Sequence, residues 1–522
     1  MSKIKSLILG SAATLVAVAG AQAADLPVKA KAVQYVKVCS LYGAGFYYIP
    51  GTDTCIKLGG YVQFDANING NNYDSPGGIG AISSSALFTG AGVPAGVSGT
   101  HDRDSGYYTT RSRVQFNLDT RTATEYGVVR TYWSSNFEHS SGWGPSAGNL
   151  TVDFGFVQFA GFTFGKAISN FSTPWSAYTA NVNSSAYIGG NDNATGITQA
   201  AYTAQFGNGV SAQIGVEDNT TIQRAPVLNA SGTTGGGLAA SYVFGGATGA
   251  PAALTSGSSA FGNTNWGTGG VHSPDFVGNI RVDQAAFTAQ LSGALHNVSS
   301  GYYTGDERLG HPEDKWGFAI SGGLLLKNLP TGPGDKFSVD ATYTEGAPKY
   351  VIGGTVGNSF TQFGGGSDLG YQSFASGALF DGVFTNGGET QLTKVWGVRA
   401  SYLHNWSPNW ETGVFGGYTH VDYNATATAA IQAALPTTIN FAGAGGRGAY
   451  NPDFNIWQIG TRTAWTPVQN LTFSAEVLYS RLDTMNSGTI VGSPGGVKPA
   501  NGTYEFKDQD LISGNIRVRR TF

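Results

Sequence analysis

Polar and apolar residues alternate one by one along many segments of this sequence. The segment Lys336–Glu345 is the most regular, with Phe337 and Val339 on one parity and Ser338 and Asp340 on the other. Successive side chains of a β-strand point to opposite faces, so this pattern predicts a strand with one apolar and one polar face. A chain built from such segments belongs to the all-β class.

A hairpin is predicted where two such segments adjoin. Val152, Phe154 and Phe156 share one parity, which predicts a strand with an apolar face. After an Ala-Gly turn signal, Phe162 and Phe164 resume the apolar parity. The second strand therefore pairs with the first.

The alternation stops after Lys166 and resumes near Ile197. An insertion of about thirty residues without periodicity is unusual inside a compact domain and commonly has a function. We predict that this segment, residues 167–195, is a loop that folds into a pore and narrows it.

Sixteen strands are predicted, joined alternately by short turns and by longer connections, the longest being residues 69–106, 219–275 and 347–390. Besides the two strands of the hairpin, the predicted strands are Ile56–Ile68, Tyr107–Asp119, Tyr126–Phe137, Ile197–Phe206, Val210–Glu217, Phe276–Val282, Ala285–Asn297, Lys315–Lys327, Lys336–Glu345, Gln391–Trp406, Trp410–Tyr423, Phe454–Trp465, Leu471–Leu482 and Tyr504–Phe522. An even number of strands with short turns on one side and long loops on the other is typical of outer-membrane barrels.

Transmembrane helices are excluded because no run of about 18 apolar residues follows the N-terminal segment. A chain that spans a bilayer without helices must close into a barrel, since every backbone polar group needs a partner inside the hydrocarbon. We therefore predict an all-β, 16-stranded antiparallel transmembrane β-barrel with short periplasmic turns, long extracellular loops and an inward-folded third loop. Tryptophans near both ends of the predicted strands fit the two aromatic belts of such a barrel. A soluble β-sandwich is the alternative, but its strands are shorter.

The composition supports this interpretation. Charged residues make up 12% of the chain against about 25% in ordinary globular proteins, and glycine is abundant, with 78 residues. The formal net charge of −4 is too small to indicate a nucleic-acid partner.

The N-terminal region carries export signals. Residues 1–23 combine lysines, an apolar run and an A-x-A site, which predicts a secretory signal peptide cleaved between Ala23 and Ala24. Cys39 and Cys55 then lie in an oxidising compartment, where a disulfide is expected; a redox-active pair is the alternative, but no C-x-x-C motif is present. Residues 24–55 are predicted to form a segment on the periplasmic side, followed by the barrel from residue 56 to residue 522.

The run VCSLYGAGFYYIPGTDTCIKLGGY, the AGFTFGKA step into the long insertion and the terminal IRVRRTF closely resemble the alphaproteobacterial general porins. The resemblance covers essentially the whole chain after the signal peptide. It implies a homotrimer of separate pores in the outer membrane, surrounded by lipid and lipopolysaccharide. It also implies a third external loop that folds inward to form the constriction, and passive diffusion of small hydrophilic solutes.

The resemblance also implies a basic wall lining the pore. The matching positions are Arg111, Arg113 and Arg130, while Arg517 and Arg519 on the last strand are added because a closed barrel places that strand beside the first. Guanidinium groups stay charged at every relevant pH. Alternatively, each arginine forms an internal ion pair with an inward-facing acid such as Asp65, Asp119 or Asp153.

The sequence departs from the porin pattern in the constriction loop. Many general porins set acidic residues on this loop against the basic wall, but between Lys166 and Asn191 there is none, and only Asp192 follows. We therefore expect a constriction with a net positive lining, which includes Lys166 and Asp192, and a modest preference for anions.

Other functions are less well supported. A substrate-selective sugar or oligosaccharide channel would use a ladder of aromatic residues in the lumen, for which the candidates are Tyr107, Tyr108, Trp175 and Tyr178. An outer-membrane hydrolase would be expected to have a smaller, filled barrel, and no catalytic constellation stands out. No cofactor and no metal site are predicted: the GAGGRG match lacks a βαβ context, and the seven histidines show no metal-binding spacing.

Overall fold

A computed structural model of the chain describes the residues 37–68, 108–140, 148–175, 179–181, 188–231, 267–353, 358–435, 441–442, 446–492, 498–499 and 501–522. The predicted signal peptide and its cleavage site between Ala23 and Ala24 lie outside these ranges, as do Tyr107 and Tyr178. The chain divides into two compact units, Met1–Ile56 and Lys57–Phe522.

The described part of the first unit, residues 37–56, contains the predicted disulfide. Cys39 and Cys55 are bonded, with their Cα atoms 6.0 Å apart, and both are buried against Phe46. The short strand Tyr47–Tyr48 pairs with Cys55 and Ile56. A disulfide that closes a loop of this length contributes about 3 kcal/mol in the chain-entropy model.

Sixteen antiparallel strands form a closed barrel, as predicted. They are β1 (Thr54–Ile68), β2 (Tyr108–Thr124), β3 (Gly127–Ser140), β4 (Asn149–Phe159), β5 (Phe162–Ala167), β6 (Ile197–Gly207), β7 (Val210–Glu217), β8 (Asp275–Asp283), β9 (Phe287–Val298), β10 (Lys315–Lys327), β11 (Lys336–Glu345), β12 (Lys394–Ser407), β13 (Trp410–Asp422), β14 (Phe454–Val468), β15 (Leu471–Thr484) and β16 (Gln509–Thr521). Strand β16 closes the barrel by pairing with β1, from Tyr61 opposite Thr521 to Ile68 opposite Gly514.

Side chains alternate between the two faces of this sheet, as strand β1 illustrates. Val62 and Phe64 are 51% and 44% exposed, whereas the intervening Gln63 and the following Asp65 are 2% and 0% exposed. The apolar set lies on the outside of the barrel and the polar set lies on the inside, which confirms the predicted pattern. A bilayer requires this arrangement, because the outer face contacts hydrocarbon.

Aromatic residues gather on the outer face near both ends of the strands. Trp410 and Trp465 stack at the turn side with ring centroids 5.7 Å apart, and Trp396 packs against Tyr418 at the loop side. All three tryptophans are between 40% and 46% exposed. Amphipathic rings at these two levels match the interfaces of a bilayer.

One predicted face is wrong in the hairpin of β4 and β5. The pairing of β3 with β4 skips Asp153: Ser135 lies opposite Val152 and Ser134 lies opposite Phe154. This β-bulge reverses the parity after Val152, so Phe154 and Phe156 share the inner face with the polar residues rather than the outer face with Val152. A simple two-residue period cannot reveal such an insertion.

The long loops fold into additional structure that the sequence did not predict. Five short strands form a second sheet, in the order Ser359–Phe363, Gln372–Ala378, Gly502–Phe506, Thr489–Gly492 and Phe441–Ala442. Three more strands, Val227–Asn229, Gly382–Phe384 and Gln391–Leu392, form a third sheet. The helix α1 spans Ala425–Ala434, and short 3-10 turns occupy Ser40–Tyr42, Tyr303–Gly305, Glu307–Leu309, Pro348–Tyr350 and Gly446–Ala449.

These loop elements correct two predicted strand limits. Strand β12 begins at Lys394 rather than Gln391, and β16 begins at Gln509 rather than Tyr504. In both places the alternating pattern continues into a short strand that belongs to a loop sheet. Before β16, Phe506 of the short strand packs against Phe374, with ring centroids 4.7 Å apart. Its apolar side chain therefore contributes to the core of the loops and does not face lipid.

Within the described ranges, no helix combines the length and the apolar character needed to cross a bilayer.

Replacing Gly60 by alanine is expected to impair folding of the barrel. Gly60 has φ +155°, and a Cβ atom there would lie 2.0 Å from the backbone oxygen of Gln115 on β2. Backbone cannot yield easily, so we expect a loss of about 1–3 kcal/mol. The fraction that migrates as folded barrel on unheated detergent gels measures the effect.

The matched control is Gly59→Ala. A Cβ atom at Gly59 would meet only the backbone oxygen of Phe522, at an ordinary 3.5 Å. Equal folded fractions for both variants would contradict the close approach of β1 and β2 at Gly60.

Candidate functional site

We call the segment between β5 and β6, residues 168–196, the constriction loop; the structure describes its residues 168–175, 179–181 and 188–196. It leaves the end of β5 along the inner wall of the neighbouring strands. Ser169 Oγ donates to Glu217 of β7 at 2.8 Å, and Asn279 of β8 donates to the carbonyl oxygen of Asn170 at 2.6 Å. Because these wall residues face inward, the loop enters the barrel immediately after β5.

The far part of the loop reaches the opposite wall through Asn181. Its backbone N–H donates to Glu476 of β15 at 2.5 Å, and its side-chain Nδ2 donates to Asn515 of β16 at 2.9 Å. Its Oδ1 accepts from Arg462 Nε of β14 and from Ser474 Oγ of β15, both at 2.8 Å. The loop therefore crosses the interior, as predicted, and one asparagine anchors it to three strands.

The part of the loop that returns toward β6 lies on a buried ion pair. Arg399 of β12 and Asp340 of β11 are joined at 2.8 Å, and each is only 2% exposed. Gly190 of the loop packs directly on this pair, because a Cβ atom at Gly190 would lie 2.6 Å from Arg399 Nε. The loop therefore covers this part of the inner wall.

Four arginines lie together on another part of the inner wall. Asp65 of β1 accepts from Arg111 at 2.9 Å and from Arg517 at 2.7 Å. Glu138 of β3 accepts from Arg113 at 2.5 Å and lies 3.5 Å from Arg111. We call the four strands β1, β2, β3 and β16 the basic wall. Asp65 on this wall lies beside Asn515, where the loop is anchored.

The fourth arginine, Arg519, has a different environment. Its Nε donates to Gln63 Oε1 at 2.7 Å, and its guanidinium carbon lies 4.2 Å from the centre of the Tyr61 ring.

The arginines of the basic wall differ in exposure: the Arg111 side chain is 1% exposed, whereas that of Arg113 is 16% exposed. Internal ion pairing, the alternative considered from the sequence, thus describes Arg111 best.

Arg130 is separated from this group. It lies near the turn end of β3 and shares Asp119 with Arg121, both at 3.0 Å. Arg130 also donates to Gln158 of β4 at 3.0 Å. The inward-facing arginines therefore form two groups, one around Asp65 and Glu138 and one around Asp119.

Lys166 joins β5 to β4, whereas Asp192 stabilises a turn within the loop. Lys166 Nζ donates to the backbone oxygen of Val152, at the bulge, at 2.6 Å. Asp192 is 2% exposed, and its carboxylate accepts from the backbone N–H of Ala194 at 2.8 Å and of Thr195 at 3.2 Å. The carboxylate of Asp192 therefore caps a turn of the loop.

Sequence reasoning missed Arg121, Glu138 and the anchor Asn181. Arg121 has the parity of Arg111 and Arg113, but the predicted strand ended at Asp119. Glu138 lies one residue beyond the predicted end of the next strand. Longer strands would have included both, whereas no periodicity could have identified Asn181 within an irregular loop.

The outer loops are joined by a buried charged network at the end of the barrel. The imidazole of His296 bridges Asp275 at 2.7 Å and Asp381 at 3.3 Å, and all three are fully buried. Tyr350 OH donates to Asp275 at 2.7 Å. These contacts join β8 and β9 to the loop that contains Tyr350 and Asp381.

Burial shifts the ionisation of the loop groups in this network. It raises the pKa of the Asp381 carboxyl and lowers the pKa of the Arg224 guanidinium. Burial likewise lowers the pKa of the Lys349 amine to about 7, against the opposing attraction of Asp381 and Asp192. The loops are therefore held by charges that are costly to bury unless they are paired.

Replacing Asn181 by alanine is expected to release the constriction loop from the far wall. The change removes three side-chain hydrogen bonds, each contributing about 1 kcal/mol, and leaves Arg462 without one acceptor. We expect larger fluctuations of the open-channel current and a higher mean conductance. Single-channel recordings measure both.

The control for this loop variant is Asn191→Ala in the same loop. Asn191 bonds Ser172 and Gln223, both of which lie in loops, rather than the far wall. An Asn181 variant whose current trace matches that of the Asn191 variant would contradict the anchoring role.

A closed barrel with an apolar outer face, a polar interior and a loop crossing that interior defines a membrane-spanning barrel of the channel type. A family profile described as Porin subfamily matches residues 25–515. The chain belongs to this porin family, and family and fold together place it in the bacterial outer membrane.

Relatives support the same assignment over part of the chain. The chain is 34% identical over 223 residues to porin Omp2b of Brucella suis, which covers 41% of this chain and 52% of that protein. It is 36% identical over 224 residues to porin Omp2b of Brucella canis, covering 41% of this chain and 54% of that protein. The chain thus spans about half the length of the curated relatives it matches.

A solved structure shares the fold. The outer membrane channel DcaP of Acinetobacter baumannii superposes with a TM-score of 0.54 at 14% identity, covering 91% of this chain and 99% of that chain. At this identity the likeness concerns the architecture alone.

Proposed function

We propose that this protein is an outer-membrane porin through which small hydrophilic solutes and ions diffuse passively. The observation that carries the proposal is the constriction loop, which crosses a polar interior, covers the ion pair of β11 and β12, and is anchored at its far end to β14, β15 and β16. A barrel of sixteen strands is too wide for side chains to fill, so water occupies the remaining space. Solutes are then filtered by size at the loop and by charge at the wall.

The charge of the open wall favours anions. Six guanidinium groups, those of Arg111, Arg113, Arg121, Arg130, Arg517 and Arg519, lie with four carboxylates, those of Asp65, Asp119, Glu138 and Asp153. The only acidic residue of the constriction loop, Asp192, is committed to its own turn. A wall with two excess cations and no opposing acidic loop attracts anions modestly.

The proposed assembly is a homotrimer of separate pores, with outer-membrane lipid and lipopolysaccharide as its surroundings. This follows the resemblance to the general porins. A substrate-selective sugar channel is the second candidate, but its predicted aromatic ladder finds little support. Tyr108 is 70% exposed, and Trp175 lies against β10, where a Cβ atom at Gly323 would be 3.0 Å from its ring.

Planar-bilayer recordings test the function and the charge filter together. We expect conductance to rise in groups of three equal steps and the zero-current potential across a KCl gradient to indicate anion preference. Arg519→Gln is expected to reduce that potential by roughly half, because the excess of cations on the wall falls from two to one.

Arg520→Gln is the matched control. Arg520 is next along β16 but lies opposite Val62 on the outer face, and it donates to the backbone oxygen of Gln469. We expect its zero-current potential to equal that of the unmodified protein. A cation preference, or equal shifts in both variants, would overturn the proposed filter, and the absence of conductance would overturn the channel itself.

A further inference from the structure

The β-bulge at Asp153 brings aromatic rings into the lumen. After the bulge, Phe154 lies opposite Ser134 and Phe156 lies opposite Tyr132, both on the inner face of β3. The inner face is established by Thr163 of β5, which is 9% exposed between the outward Phe162 and Phe164 at 45% and 53%. Gln158, two residues after Phe156, donates to this Thr163 at 3.1 Å.

Three rings form what we call the aromatic patch, consisting of Tyr132, Phe154 and Phe156. Tyr132 and Phe156 are stacked, with centroids 5.4 Å apart and an interplanar angle of 28°. The centroid of Phe154 lies 6.4 Å from that of Tyr132. All three side chains are half-buried, so part of each ring faces the lumen.

A cationic group borders the patch. The guanidinium carbon of Arg130 lies 5.2 Å from the Tyr132 centroid and 5.5 Å from the Phe156 centroid. Arg130 and Arg121 share the single carboxylate of Asp119, and both arginine side chains are 29% exposed. Two partly exposed guanidinium groups that share one carboxylate therefore lie beside a surface of aromatic rings.

The surrounding inner positions make this patch unusual. Gln115, Asn117 and Asn136 continue the same wall, and all are polar, as a lumen filled with water requires. Half-exposed phenyl rings in water are unfavourable, and the bulge that directs them inward interrupts the strand pairing. The purely structural explanation is that the rings only fill the space beside the root of the constriction loop.

We propose that the aromatic patch, together with Arg121 and Arg130, is a binding subsite for aromatic carboxylates passing through the pore. The ring of the solute packs against Phe154 and Phe156, and its carboxylate accepts hydrogen bonds from the exposed parts of the two guanidinium groups that share Asp119. Binding is weak enough for release, as conduction requires. The proposal rests on the proposed channel function and adds a preferred class of solute to it.

The test is block of the KCl current by benzoate in planar bilayers. Cyclohexanecarboxylate has the same charge and a similar size but lacks the aromatic ring. We expect benzoate to reduce the current at a lower concentration than cyclohexanecarboxylate. In the double variant Phe154→Leu with Phe156→Leu, the concentration of benzoate for half block is expected to rise roughly fivefold, the ratio that corresponds to about 1 kcal/mol of aromatic pairing.

The matched control replaces Phe162 and Phe164 by leucine. These residues lie on the outer face of the adjacent strand, so the same chemical change leaves the lumen untouched. Leucine keeps the apolar volume, which allows both double variants to fold, and the folded fraction on unheated gels verifies this. Arg121→Gln is expected to weaken block by both acids equally, because it removes charge and not ring contact.

Several results would overturn the subsite. Equal block by the two acids, or half block unchanged by the Phe154 and Phe156 replacements, would show that the rings serve packing alone. An equal shift in the Phe162 and Phe164 variant would show an indirect effect on the barrel. A protein that conducts KCl without any benzoate block refutes the subsite and retains the channel, whereas a protein that does not conduct refutes the channel.

Discussion

The structure depends on the need to pair every backbone N–H and C=O group within the bilayer. A sheet meets that need only when it has no free edge, and here the edge is removed where β16 joins β1. Closure in turn fixes the two faces of every strand, one toward hydrocarbon and one toward the interior. The residues that line the pore are therefore the alternate, inward-facing residues of the same strands that form the closed sheet.

The interior is organised by sharing of charges. Asp65 serves Arg111 and Arg517, Asp119 serves Arg121 and Arg130, and each carboxylate thus satisfies two guanidinium groups while leaving an excess of positive charge. If every arginine had its own carboxylate, the wall would carry no net charge. If the arginines had no carboxylate partners, burying their charges would cost folding free energy. In the proposed filter both hypotheses for the arginines apply, because ion pairing fixes their geometry and the excess of positive charge would supply the field.

Much of the fold could be predicted from the sequence because a two-residue period is a local signal. The period predicted the strands and most of their faces, the absence of transmembrane helices predicted closure, and the aperiodic segment after Lys166 predicted the inward loop. The bulge at Asp153 was missed since one additional residue changes the face of Phe154 without changing the composition. Arg121 and Glu138 were missed because strands extend beyond their apolar part, where the lumen-facing residues no longer alternate with lipid-facing ones. The anchor Asn181 and the loop sheets depend on contacts between distant segments, which no local pattern encodes.

The central claim is that alternate residues of one strand face water and lipid. Single cysteines at Gln115 and Asn117 on the inner face of β2, and at Val114 and Phe116 on the outer face, test it directly, since Cys39 and Cys55 are disulfide-bonded. A charged, water-soluble thiol reagent applied to the protein in lipid vesicles should label Gln115→Cys and Asn117→Cys and leave Val114→Cys and Phe116→Cys unmodified. Labelling of the outer positions instead, or no difference between the two sets, would contradict the account.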